Sequence, residues 1–464
     1  MKLRTQVLSQ EEAELVHKRT LELLENVGVC IKSERALKVL AENGAEVNFE
    51  TQIVKISDTL LRKCLNTAPK SYVLGARNPK FDFPMPAVRV GHILDGITTG
   101  IVDIETGEKR PSTKEDVFNT GRVFQQMDMG AVAWSGCSAL DMPPETHNLH
   151  ELAAIIQGTS KHIQFELRHD GESKYAIEIL KAILGTEEEV KNRKIASVLY
   201  CPISPLTHDD SMLDAYLELA EYEVPVNIYP CPIVGLTSPA SLFSTVCLIN
   251  AEVLSGLVIF QLVKPGLPIM YGSCSGTADP RTGDYVDKEE SVLISMASRE
   301  MARYYQLPSV LSGGGSCETV PQYMIDPELI DGIGTMDDGM TTDLAGLVMQ
   351  NEFCNRNVRI ALGIRVDEET DLIADIIKQG PGGGFLGSKS TRRMFRDNSE
   401  IYVSKYFPDS FRHTATEIED MRQHANEIVK SILKGPIEDE LPQSVQLRIE
   451  EICKTADIAL GKQA

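Results

Sequence analysis

Basic clusters are missing from this 464-residue chain. It has 46 Lys and Arg against 67 Asp and Glu, a formal charge of −21, and no run of five or more basic residues. Binding along a phosphate backbone needs clustered Lys and Arg, so a nucleic-acid partner is excluded. An apolar leader is missing too. The N-terminus reads MKLRTQVLSQEEAEL, and Glu11, Glu12 and Glu14 are foreign to a transit peptide. The longest apolar stretch, near 251–263, is broken by Glu252, Ser255 and Gln261 and reads as too short to cross a bilayer, so no membrane partner is expected. Ten cysteines form no C-x-x-C pair, which removes a zinc ribbon and a dithiol redox motif. Cys137, Cys201 and Cys247 sit in apolar runs, as reduced thiols of a cytoplasmic protein would. Nine histidines form no H-x-x-x-H or H-E-x-x-H pattern. The glycine clusters 313–315 and 382–384 fit neither the P-loop nor G-x-G-x-x-G after a first strand.

What is present is a rhythm. Ser9 and Glu12 make a capping box before a helix whose apolar positions run from Ala13 to Val27, and Gly28 stops it. A second amphipathic stretch, Glu34–Glu42, ends at Asn43-Gly44, and 47–102 reads as short strands and loops. From residue 131 onward short apolar runs alternate with longer helical stretches. The runs cover 131–138, 162–169, 195–203, 225–233, 268–276 and 308–316, and their starts are 31, 33, 30, 43 and 40 residues apart. Each step leaves room for one helix, the rhythm of βα units on a parallel sheet. Six such units predict an α/β fold closed as a (β/α)8 TIM barrel. Leu329–Gly334 and Val358–Gly363 are candidates for the remaining strands. The last helices are predicted at Glu417–Lys434 and Gln443–Leu460. The expected organisation is an N-terminal helical and β extension over 1–130, the barrel over 131–390 and a C-terminal helical extension over 391–464.

In a barrel of this kind the site lies where strands end. Only 27 residues are aromatic, yet Trp134, Phe165, Tyr200, Tyr229 and Tyr271 each fall near the end of a different run. Rings around a cavity attract a cation, each desolvated face contributing on the order of 0.5–2 kcal/mol. The same rings would equally serve to fill the layer between sheet and helices. Cys137, Cys201, Cys231, Cys274 and Cys317 also fall at or just after run ends. They read either as small buried hydrophobes or as zinc ligands that activate a substrate. His169 closes one run beside Glu166 and Arg168. Arg281, in the polar loop 276–285, offers a bidentate partner for a substrate carboxylate or a structural pair with Asp279 or Asp284.

Taken in order, LSQEEAELVHKRTLELLENVGV (8–29), DIETGEKRPSTKEDV (103–117), PVNIYPCPIVGLTSP (225–239), INAEVLSG (249–256), KPGLPIMYGS (264–273), GLVMQNEF (346–353), ALGIRVDEETDLI (361–373) and IKQGPGGGFLGSKST (377–391) give the chain a family likeness. It resembles the trimethylamine methyltransferase family, specifically the members that lack pyrrolysine and act on quaternary amines. The resemblance covers nearly the whole chain. It implies a (β/α)8 barrel that moves a methyl group from a methylammonium substrate to the cobalt of a separate corrinoid protein. No pyrrolysine is present; its place falls within 332–343, and the segment 316–345 is shorter than in the family by about one helix. The absence has a chemical reading. A quaternary ammonium already leaves as a neutral amine, and Co(I) is a strong nucleophile, so the protein need only position and desolvate the methyl group.

The resulting expectation is a quaternary amine:corrinoid protein methyltransferase acting on glycine betaine, proline betaine, carnitine or γ-butyrobetaine. Phe165, Tyr200, Tyr229 and Tyr271 are expected around the cation, with Glu166 as its anionic complement. His169 or Arg281 would take the substrate carboxylate, and Gly313, Gly314 and Gly315 would face the corrin. No metal site and no tightly bound cofactor are expected, the cobalt corrinoid being brought by its partner, and the chain is expected to form a homo-oligomer. The rival readings are a zinc-dependent methylthiol or methoxyl:corrinoid methyltransferase and a non-catalytic betaine-binding subunit.

Overall fold

The computed structural model describes residues 4–96, 98–313, 320–397, 400–407 and 415–461. Eight parallel strands close a barrel: β1 (Gly91–Leu94), β2 (Gly130–Ala133), β3 (His162–Phe165), β4 (Ala196–Tyr200), β5 (Val226–Ile228), β6 (Ile269–Ser273), β7 (Ser309–Ser312) and β8 (Leu329–Ile333). Each strand pairs in parallel with the next, and β1 closes the ring between β8 and β2. The intervening helices are α1 (Lys114–Gln125), α2 (His147–Gly158), α3 (Ser173–Leu184), α4 (Ser211–Ala220), α5 (Leu242–Val263), α6 (Glu289–Tyr304), α7 (Val320–Met324) and α8 (Leu344–Leu362). The six runs read from the sequence are β2 to β7, and Leu329–Gly334 holds β8. Val358–Gly363 is not a strand; it is the last turn of α8 and its cap. The missing strand is β1, so the boundary expected at 130/131 falls inside the barrel. The described helix between β7 and β8 is α7, five residues long.

Strand alternation sorts the barrel residues into two sets. Leu94, Ala133, Ile163, Phe165, Val198, Tyr200, Ile228 and Tyr271 join the apolar layer between sheet and helices. Ile93, Val132, Trp134, Leu199, Tyr229, Met270, Val310 and Leu329 fill the interior. Polar pairs interrupt that interior: His162 Nε2 meets Ser197 Oγ at 2.9 Å, and Asn227 Nδ2 donates to Gln164 Oε1 at 3.1 Å.

A hairpin, Tyr72–Leu74 with Phe83–Met85, plugs the end where the strands begin. Leu74, Phe83 and Met85 pack into the interior cluster. The Tyr72 hydroxyl donates to Ile269 O, the Gly75 amide donates to Lys194 O, and His162 Nδ1 lies 2.7 Å from Gly75 O. The barrel is therefore open only at its C-terminal face.

Helix α5 corrects the sequence reading of its stretch. It runs for 22 residues and is long and apolar enough to cross a membrane by composition. It is apolar all round because it is covered all round. The N-terminal helices Gln10–Glu22, Glu34–Glu42 and Asp58–Thr67 lie on it, with α4 and α6 at its sides. The Ser9–Glu12 capping box is formed, and a π-helical turn over Leu23–Val27 precedes Gly28. At the other end of the chain, Ala415–Lys434 packs on α8 and α1, and Gln443–Leu460 on α3 and α2.

Candidate active site

At the open face a cavity of about 280 Å³ takes a residue from the end of every strand. Asp95 follows β1, Trp134 β2, Glu166 β3, Cys201 β4 and Tyr229 β5; Cys274 follows β6, Ser312 ends β7 and Asp331 lies in β8. A hairpin over the rim, Gly276–Ala278 with Tyr285–Val286, adds Tyr285 and Asp287, and the loop after β8 adds Thr335 and Asp338. Two glycines make room for the rings. A Cβ on Gly96 would stand 2.3 Å from the Trp134 indole, and one on Gly276 would stand 2.0 Å from the Tyr285 ring.

The lining is rich in carboxyl groups. Burial pushes the Glu166 carboxyl up to about 7; the Arg168 guanidinium opposes this and Asp95 adds to it. Burial also holds Asp331 well above the usual carboxylate range. Asp95 and Glu166 reinforce that, while the Gly332 amide, at 2.8 Å, and the Tyr229 hydroxyl oppose it. Asp287 is raised by burial, and its Oδ1 is buried without a hydrogen-bond partner. Among the described lining residues there is no Lys, Arg or His. A low-dielectric pocket with several carboxylates favours a cation strongly, because like charges this close resist ionising until a positive charge joins them.

Three thiols share the lining. Cys201 Sγ donates to Tyr229 O at 3.0 Å. Cys231 and Cys274 hydrogen-bond each other, which holds Cys231 below the usual thiol range and Cys274 well above it. Among the described residues no three His, Cys, Asp or Glu side chains are placed to hold a metal ion. Cys137 is buried in the outer core, and Cys317 lies outside the described residues.

Of the rings expected around the cation, only Tyr229 reaches the cavity, alongside Glu166. Phe165, Tyr200 and Tyr271 point the other way, into the helix layer. Tyr200 hydrogen-bonds His208 Nδ1 at 2.7 Å and stands edge-on to Tyr216 and Phe260. The Tyr271 hydroxyl donates to Asn250 Oδ1 at 2.9 Å, and Asn250 in turn donates to Thr20 and Tyr305. Their assignment to the cation is corrected by one residue of register, which turns a side chain to the opposite face. Removing the Tyr271 hydroxyl strands a buried acceptor. Tyr271→Phe is therefore expected to cost about 1–3 kcal/mol in urea unfolding while leaving substrate affinity unchanged in a calorimetric titration.

His169 is exposed and does not line the cavity. Arg281 is 82% exposed in the rim hairpin, where Asp279 Oδ1 and Oδ2 lie at 3.1 and 2.7 Å. It makes the structural pair rather than a carboxylate receptor inside the cavity. Gly313 is held against β8: its amide donates to Asp331 O at 2.7 Å, and a Cβ there would stand 2.3 Å from that oxygen. Gly314 and Gly315 lie outside the described residues. Reading from sequence missed Asp95, Asp287 and Asp331. Asp95 follows an unrecognised strand, and Asp331 sat unremarked in a candidate one.

A closed parallel barrel with a small, charged, ring-lined cavity at its C-terminal mouth is the arrangement of a (β/α)8 enzyme. The family model described as trimethylamine methyltransferase matches residues 2–456, and the chain belongs to that family. It is 31% identical to the trimethylamine methyltransferase of Desulfitobacterium hafniense, over 98% of this chain and 94% of the relative. It is 26% identical to a glycine betaine methyltransferase of the same species, over 98% of each. Among solved structures, the Methanosarcina barkeri monomethylamine methyltransferase superposes with a TM-score of 0.45 at 13% identity, covering 91% of this chain and 92% of that one.

Proposed function

We propose that this chain moves a methyl group from a quaternary amine to the Co(I) of a corrinoid carried by a partner protein. The observation that supports the reading best is the cavity itself, a carboxyl-rich, aromatic pocket without a described basic group. Its volume suits a small methylated cation and is too small for a corrin macrocycle, so the corrin is presented from outside the barrel. The cobalt supplies the nucleophile. Trp134, Tyr229 and Tyr285 supply faces for the cation, and Glu166, Asp331 and Asp95 supply the countercharge. Together they strip water from the N-methyl groups and fix their direction. As positive charge leaves nitrogen, this attraction weakens, a cost that tight positioning offsets. Gly313, which follows β7, remains with Gly314 and Gly315 our assignment for the residues that face the corrin.

The experiment is to mix the protein with chemically reduced cob(I)alamin and a panel of quaternary amines, then follow the methyl–cobalt absorbance. The panel holds glycine betaine, proline betaine, carnitine, γ-butyrobetaine, choline and tetramethylammonium. Methylation of cobalt by at least one member is the expected result. No methylation by any of them overturns the proposal.

A further inference from the structure

We propose that Cys231 and Cys274 are a reversible dithiol–disulfide pair, a modification site for low-molecular-weight disulfides, and that oxidation there disables the cavity. Register carries the inference. Within the barrel Val226 lies opposite Ile269 and Ile228 opposite Tyr271; past its mouth Ile233 lies opposite Gly276 and Val234 opposite Thr277. The offset is the same on both sides, so Cys231 stands directly opposite Cys274. The Cys274 amide donates to Pro230 O at 3.0 Å, as a parallel ladder requires. Residues opposed across neighbouring strands have Cα atoms about 4.8 Å apart, inside the range of about 4.4–6.8 Å that a disulfide spans. Both side chains face the cavity. Cys201, the third described thiol of the lining, is out of step: Tyr200 pairs with Ile228, which sets Cys201 opposite Tyr229, and its Sγ donates to Tyr229 O.

The chemistry divides between the two thiols. Cys231 is exposed at the mouth and Cys274 is half-buried. The Cys274 thiol donates to Cys231 and holds it below the usual thiol range, so Cys231 is the attacking thiolate. It attacks one sulfur of the small disulfide, and the other sulfur leaves as a thiolate. Cys274 then loses its proton and attacks the Cys231 sulfur, releasing the second half. One S–S bond breaks and one forms. Two electrons pass from the protein to the small disulfide, and the two thiol protons end on the two small thiols released. A bridge between directly opposed residues sits near the short end of the Cα range and opens to the mouth; strained, accessible disulfides are the readily reduced kind.

Cys274 also separates two rings of the site. A Cβ on Gly272 would stand 2.5 Å from the Tyr229 ring, and one on Gly276 would stand 2.0 Å from the Tyr285 ring. Residues 272, 274 and 276 share one face of the strand. Both rings therefore lean on the same strip of backbone, with the Cys274 side chain between them. Drawing the two sulfurs into a bond moves that spacer, and the rings lose the positions they offer a cation. The loss of substrate affinity rests on the quaternary-amine reading above; the bridge does not.

The test is to incubate the full chain with oxidised glutathione, block the free thiols under denaturing conditions and map the peptides. A linked pair holding Cys231 and Cys274 is expected, absent from Cys231→Ser and from Cys274→Ser and retained in Cys201→Ser. Trp134 is the one tryptophan of the chain and lines the same cavity, so its emission reads the change without substrate. Oxidation is expected to shift that emission and to weaken tetramethylammonium binding at least tenfold in calorimetric titration, both reversed by dithiothreitol. No linked pair, or a linked pair that leaves the emission or the binding as it was, overturns the inference. If the reduced protein binds no quaternary amine and methylates no cob(I)alamin, the proposed function falls, and the linked pair and the emission still decide this inference.

Discussion

Replacing Glu166 by glutamine is expected to lower kcat/KM for a quaternary ammonium by about ten- to hundredfold, the loss that follows when a charged partner worth roughly 1.5–3 kcal/mol is removed. The same change is expected to flatten the pH profile. Burial places the Glu166 carboxyl at about 7 in the free protein, and a bound cation favours its ionised form, so binding releases a proton. Affinity in the parent should therefore rise as pH increases toward 7 and level off above it, while below 7 it should fall by up to tenfold per unit. Asp95, Asp331, Tyr229, Cys201 and Arg168 share the field around this group, so the profile reports the set rather than one residue. KM measured between pH 5.5 and 8.5 for parent and variant decides it. A parent profile that is flat, or that falls with rising pH, would remove Glu166 as the countercharge.

The largest effect on stability is expected at the plug. A Cβ on Gly75 would stand 1.7 Å from the carbonyl oxygen of Arg193, a backbone atom with no room to withdraw. Gly75 is also bonded on both sides, its amide to Lys194 O and its carbonyl to His162. Gly75→Ala is therefore expected to cost more than about 3 kcal/mol, above the usual range for overpacking. The shift in the urea midpoint measures it. A midpoint within experimental error of the parent would mean that the hairpin does not seal the barrel as described.

Much of the fold could be read from the sequence because strands buried on both faces leave an apolar signature that spacing turns into βα units. The final helix, Gln443–Leu460, was legible to the residue, since its 3.6-residue period is sustained. Strand β1 was not, because GHIL is four residues long and sits among prolines and glycines. Val358–Gly363 misled for the opposite reason: its short apolar content belongs to the end of a helix.

The site was legible only in part, and the physical reason is register. A strand covered on both sides shows no alternation, so nothing in IASVLYCPI tells whether Tyr200 or its neighbours Leu199 and Cys201 face inward. Trp134 stood out as the single tryptophan at a strand end, and it does line the cavity. The carboxylates Asp95 and Asp331 carry no local signal at all. They become a set only when β8 and β1 are brought side by side.

That adjacency has a cost in time. Roughly 240 residues separate Gly91 from its partner Leu329, and a ribosome adding about 5–20 residues per second needs roughly 12–48 s to span them. Throughout that interval the earliest strand and the hairpin beneath it have no eighth strand to close on. A nascent chain thus carries an open edge for most of its synthesis, and only the brevity of that edge, four residues, limits what else can pair with it.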